Sequence, residues 1–250
     1  MEEYPRLLRK GFTPFDPLEL ARTTEEIVSR GDARKYTAFY CTGVYGGIST
    51  GYTVGCCLRC IFCWVDSSRD FPEEHGEFYT AEQVVTRLIE NARRKRVARL
   101  RISGGEPTLC KRHLLAVLHL VEPTGYGFIL ETNSIPMAAD EGYAADLARY
   151  TCAHIRVSLK AGTPEGLEAR TGARGEFWEL PFVAIERLVA AEADFHVAAM
   201  TDPRLMPQAE RAAMMARLRR AGYTRWVEEE RCDAYPSTVK RLRAAGWDLS

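Results

Sequence analysis

Three thiols, Cys56, Cys60 and Cys63, fall in a single Cys-x3-Cys-x2-Cys run directly after a segment that reads as a strand. Thiolates on one tight loop make a soft metal site. Their number is informative. Structural zinc takes four closed ligands, typically from two separated pairs, and no second pair stands elsewhere in the chain. A [4Fe-4S] cluster usually takes four cysteines, so three leave one iron open to another ligand. Cys57 would turn the run into Cys-x2-Cys-x2-Cys, but it reads as a bystander. The competing reading is a zinc knuckle, with Cys57, Cys110, Cys152 or Cys232 returning as fourth ligand, which would make the chain a zinc-binding interaction module. Otherwise Cys41, Cys110, Cys152 and Cys232 read as small buried residues.

A second chemical segment is Ser103-Gly104-Gly105-Glu106-Pro107, at the end of another expected strand. Glycines there let backbone approach a ligand closely, although a Gly-Gly turn closed by proline occurs in many strand-to-helix loops. Glu131-Thr132-Asn133 ends the next strand, and Asn133 is either a ligand contact or a plain turn residue. Alternation along the following strand puts Arg156, Ser158 and Lys160 on one face and Val157 and Leu159 on the other. A polar face carrying buried cations suits a functional lumen better than an ordinary core.

The cysteine spacing, with Phe62 before the last cysteine and Gly104-Gly105-Glu106-Pro107 about forty residues later, resembles the radical S-adenosylmethionine (SAM) superfamily over roughly residues 48–230. The resemblance implies a [4Fe-4S] cluster on Cys56, Cys60 and Cys63, with SAM chelating the fourth iron. It further implies that an electron from the reduced cluster cleaves SAM to methionine and a 5'-deoxyadenosyl radical, which abstracts a substrate hydrogen. Phe62, Gly104, Gly105, Glu106, Asn133, Ser158 and Lys160 become expected cofactor contacts, Glu106 either bonding the SAM ammonium or bracing its loop. No flavin or ferredoxin motif is present, so a flavodoxin or ferredoxin donor is expected.

Ser158-Leu159-Lys160 through Arg170-Thr171-Gly172 is similar to glycyl-radical-enzyme activating proteins, which implies a partner protein as substrate. Phe62-Cys63-Trp64 resembles tRNA wybutosine-synthesis enzymes, and the compact length suits 7-carboxy-7-deazaguanine synthase. The basic stretch Arg93, Arg94, Lys95, Arg96, Arg99 and Arg101 reads first as a helix C-terminus favoured by its dipole, with RNA contact less favoured.

Apolar β-branched runs alternate with helical patterns, which predicts parallel strands with outer helices. Strands are expected at Ile48–Val54, Val97–Ile102, Gly127–Leu130, His154–Lys160, Phe195–Met200 and Thr224–Glu229. Helices are expected at Thr80–Arg94, Leu114–Glu122, Tyr143–Tyr150, Pro181–Glu192, Gln208–Arg220 and Ser237–Ala245. Six units fall short of the eight of a closed barrel, so the fold class is α/β, a partial (β/α)6 TIM barrel over residues 46–250. Residues 1–45 form an N-terminal extension, a loop and short helix starting at Thr23-Thr24-Glu25, within a single domain. In such a barrel the functional residues belong at the C-terminal strand ends.

The bulk numbers agree with this picture and exclude others. Lys plus Arg equal Asp plus Glu at 34 each, so no global field calls for nucleic acid or membrane. The start, with Glu2 and Glu3, lacks a secretory signal, and no apolar run nears the ~20 residues of a spanning helix. A cytoplasmic location is expected.

Overall fold

A computed structural model describes residues 4–247; the acidic start at Glu2 and Glu3 lies outside the described residues. In chain order the elements are α1 (Pro17–Val28), β1 (Ser29–Arg30), β2 (Ala33–Thr42), β3 (Ile48–Thr53), β4 (Glu77–Tyr79), α2 (Ala81–Lys95), β5 (Arg99–Gly104) and α3 (Lys111–Val121). There follow β6 (Gly127–Thr132), α4 (Ile135–Ala139), α5 (Tyr143–Ala148), β7 (Ala153–Leu159), α6 (Pro164–Thr171), α7 (Leu180–Ala190), β8 (Phe195–Met200), α8 (Gln208–Arg220), β9 (Val227–Glu230) and α9 (Pro236–Ala245).

Six strands, β3-β5-β6-β7-β8-β9, run parallel in that order, and helices connect them. This is the expected open (β/α)6 barrel. Its helices form for local reasons that are plain in α2. Thr80 caps the first turn and Gln83 reaches back to it in a capping box, and Val84 and Leu88 bury one face completely. Each such side chain contributes roughly 1.5–3 kcal/mol of burial. Arg96 ends the helix in the left-handed region at φ 56°, a place usually given to glycine.

The extension differs from expectation. Its helix starts at Pro17, capped by the Asp16 carboxylate, which accepts from the backbone of Leu18 and Glu19. It also carries β2, ten residues long, paired antiparallel with β3 and flanked by β1 and β4. The sheet therefore continues past the barrel edge to nine strands. The alternation in Ala33–Thr42 is broken by a shift in register between Tyr36 and Ala38, which hides the strand from a period-two search. The short helices α4 and α6 were not expected either; both start at proline-containing turns.

Two apolar layers flank the sheet. One packs α2, α3, α5, α7 and α8 on the strands' outer faces. The other joins residues of α1, the cysteine loop, α6 and α9 at one end. Cys110 and Cys232 are buried, whereas Cys41 and Cys152 are only half-buried, which corrects the expectation for those two. Among the described residues no helix is long and apolar enough to cross a membrane.

Candidate active site

The C-terminal strand ends converge on one cavity of about 170 Å³. Cys56, Cys60, Phe62 and Cys63 line it from the loop after β3, and Ser103, Gly104, Gly105 and Glu106 from the end of β5. Glu131, Thr132 and Asn133 enter from β6, Arg156, Ser158 and Lys160 from β7, Met200 from β8 and Glu230 from β9. The residues expected as cluster ligands and cofactor contacts thus line one cavity, together with Trp64, Met200 and Glu230. Met200 was not among the residues expected there. Its position as the last residue of a strand was the signal that it could face the site.

None of the eight cysteines is paired in a disulfide. Cys57 is wholly buried and stays out of the cavity lining, where its thiol and that of Cys56 meet the Asn133 amide at 3.4 and 3.6 Å. A hydrogen bond from Cys57 draws the Cys56 thiol down to about 7 against the effect of burial. Burial pushes Cys60 up to about 12, against the pull of Lys160. The donor set suits iron and sulfide. Among the described residues no three His, Cys, Asp or Glu side chains are arranged to hold a single metal ion, as the zinc-module reading requires. A cubane spreads its thiolates over separate irons and does not need them to converge.

The loop is held by backbone contacts that only glycine permits. Gly105 donates to the Thr53 carbonyl and Glu106 to the Gly55 carbonyl, both at 2.8 Å. A Cβ on Gly105 would lie 2.0 Å from the Gly55 oxygen. Gly104 itself sits at φ 93°. Here the glycines let β5 approach the start of the cysteine loop closely.

Glu106 braces the loop in the structure. One carboxylate oxygen accepts from the Thr108 amide and from the Thr108 and Thr132 hydroxyls at 2.6–3.0 Å. The other accepts the Asn133 amide at 2.7 Å. The residue is 2% exposed, and both its oxygens accept hydrogen bonds inside the fold.

On β7 the expected alternation holds: Arg156 and Ser158 face the lumen, and Val157 and Leu159 join the core. Lys160 bonds Ser158 and lies 5.8 Å from the Phe62 ring. Arg156 pairs with Glu228 at 2.9 Å and Glu230 at 2.7 Å. Arg101 leaves the basic stretch altogether, turning inward to Thr50 and Glu131 at 3.0 Å. Burial pushes the Glu131 carboxyl up, but Arg101 and hydrogen bonds from Ser103 and Tyr45 outweigh it and hold it below its usual range. The lumen is thus charged yet internally paired.

Farther from the cysteines, His154 and His196 touch at 2.7 Å, and His196 reaches Glu228 at 3.0 Å. Their shared position, second residue of successive parallel strands, was the missed signal. A larger cavity of about 800 Å³ lies between residues 4–9, the segment after the loop, and α9; none of the expected ligands lines it.

Residues 51–201 match the sequence signature of the radical SAM superfamily. The chain is 32% identical over 142 residues to a GTP 3',8-cyclase of Heliobacterium modesticaldum, a match covering 55% of this chain and 40% of that protein. The chain thus spans well under half of that curated relative's length. Among solved structures, Streptococcus suis SuiB bound to S-adenosylmethionine superposes with a TM-score of 0.58 at 15% identity, covering 76% of this chain and 44% of that one. TYW1 with a lysine-pyruvate adduct bound gives 0.59 at 15% identity, with 79% and 72% covered.

Proposed function

Since the chain belongs to the radical SAM superfamily, whose cofactors are a [4Fe-4S] cluster and SAM, we propose that Cys56, Cys60 and Cys63 hold that cluster and that the charged lumen receives a polar substrate. When bound, the two cofactors supply reductive cleavage of the sulfonium C–S bond, giving methionine and a 5'-deoxyadenosyl radical. The protein's own part is to bind, orient and exclude water.

Gly104 and Gly105 offer backbone beside the loop, braced from behind by Glu106. Lys160 and Ser158 present an ammonium and a hydroxyl at the opposite wall, where an anionic carboxylate of SAM can replace their mutual hydrogen bond. At about 170 Å³ the cavity is smaller than the roughly 300–1,000 Å³ of a typical cofactor site, so side chains of its lining move on binding. Asn133 holds Cys56 and Cys57 in register. Electrons come from a flavodoxin- or ferredoxin-type donor.

One observation carries the substrate class: the wall beyond Ser158 is made of Arg156 and Glu230, where an apolar substrate would pay for desolvating them. A polar heterocycle or nucleotide, of the kind the cyclase's name indicates, fits that wall. A partner-protein substrate is favoured less, because the Arg170-Thr171 segment that suggested it has a structural task. Its carbonyls accept the backbone amides of Ile61 and Arg59 at 2.9 Å.

The test is anaerobic reconstitution followed by iron and sulfide analysis and SAM cleavage with dithionite. Deuterated nucleotide, peptide and tRNA pools are then compared for label transfer into 5'-deoxyadenosine. Zinc without sulfide would end the assignment, and label arriving only from peptides would replace the polar small-molecule reading with the partner-protein one.

A further inference from the structure

Each of the three loop cysteines is backed by a buried arginine. Arg59 Nη1 donates to the Cys56 carbonyl at 2.7 Å, Arg69 Nη1 to that of Cys60 at 2.8 Å and Arg241 Nη1 to that of Cys63 at 2.9 Å. The arginines are 0, 1 and 4% exposed. They come from separate places: the loop itself, the segment that follows it, and α9 near the end of the chain. An arginine stays charged when buried, and taking such a charge out of water costs several kcal/mol.

Counter-charge is scarce. Asp70 accepts from both Arg69 at 2.6 Å and Arg241 at 2.7 Å. Among the described residues Arg59 has no carboxylate partner; its guanidinium lies 5.2 Å from the Tyr4 ring and it spends its hydrogen bonds on backbone carbonyls. Among the described residues, Asp70 is thus the one carboxylate hydrogen-bonded to any of these three guanidiniums. Amide or hydroxyl donors would have fixed the same carbonyls without burying charge. The excess positive charge around a three-thiol loop, with Arg69 itself lining the cavity, calls for a negative occupant there.

We propose that Arg59, Arg69 and Arg241 are positioning residues that hold the three ligand cysteines and bias the bound cluster toward its reduced state. This rests on the cluster assignment made above. Three thiolates bring negative charge to the site, and reduction adds one more. The step is a one-electron transfer: the external flavodoxin- or ferredoxin-type donor is oxidised by one electron, the cluster gains it, and no proton or covalent bond moves. Fixed positive charges in a poorly solvated shell favour that gain.

The experiment is an EPR-monitored redox titration of the reconstituted full chain, with iron and sulfide counted for each variant. Arg59→Gln is expected to keep the cluster and shift the reduction equilibrium about tenfold toward the oxidised form, about 59 mV for a one-electron couple. Arg59→Lys, which keeps the charge, is expected to titrate like the wild type. Asp70→Asn, which removes the counter-charge, is expected to move the potential upward. Wild-type potential in a fully loaded Arg59→Gln protein overturns the proposal, as do equal shifts in the Gln and Lys variants. Should Arg59→Gln lose its iron, Asp70→Asn decides, and a potential at or below wild type overturns the proposal. A wild-type protein that takes up no iron and sulfide is a different result and removes the cluster assignment itself.

Discussion

The carboxylate of Glu106 accepts the backbone amide of Asn133 at 2.7 Å, tying the end of β5 to the end of β6. Together with the two threonine hydroxyls and the Thr108 amide, this bond makes Glu106 the clasp of the candidate site. Glu106→Ala strands two buried backbone donors, so a loss of about 2–4 kcal/mol is expected. Urea unfolding of the iron-free protein measures it. The cluster absorbance is expected to survive while SAM affinity falls, because the wall that positions SAM is loosened. Unchanged stability would mean that water replaces the clasp.

Gly105→Ala puts a methyl group against the Gly55 carbonyl at 2.0 Å. Backbone cannot yield cheaply there, and a cost of at least about 3 kcal/mol is expected, with loss of iron uptake. Gly43→Ala is the control, since nothing lies within 4 Å of its Cβ position. Thermal melts of the two variants side by side give the answer, and equal melting temperatures would contradict the close approach.

Cys60→Ala is expected to abolish 5'-deoxyadenosine formation from SAM and dithionite, with the fold intact by circular dichroism. Cys57→Ala is expected to retain full iron and sulfide, because that thiol is kept out of the cavity lining. Iron loss from Cys57→Ala equal to that from Cys56→Ala would make Cys57 a ligand and change the spacing of the motif.

His113 links the extension to α3. Its Nδ1 donates to the Asp32 carbonyl at 2.8 Å, so its Nε2 is left to accept from the Tyr36 hydroxyl at 2.9 Å. Burial pushes its pKa down from 6.5 to about 4. A histidine depressed in the fold stays neutral while the unfolded chain takes up a proton. Stability is therefore unaffected above about pH 6.5 and falls as pH drops from there to about 4, by about 3 kcal/mol at most. Replacing His113 by Asn removes this part of the slope. Urea midpoints for both proteins at pH 7.5, 5.5 and 4.5 test it, and parallel curves would refute it.

Much of the barrel was legible because its signals are local. β8 and α8 run over Phe195–Met200 and Gln208–Arg220 as expected, β8 as a short apolar run and α8 as a run of helix formers ended near Gly222. The capping box at Thr80 and Gln83 needs only four residues. β2 escaped because a register shift spoils its alternation, and α1 was placed late because Asp16, rather than the threonines, caps it.

What the sequence by itself determined was the chemistry. Cys56, Cys60 and Cys63 sit on one loop and need only eight consecutive residues to form a ligand set. Gly104 to Glu106 follow a strand end, and strand order alone brings them beside that loop. What only the tertiary structure decided was which polar groups meet: Glu106 with the Asn133 amide, His154 with His196, and Arg241 with a cysteine carbonyl 178 residues away. Motifs are encoded over a few bonds of chain. Pairings between buried polar groups depend on how separate elements stack, and no local period or composition records that.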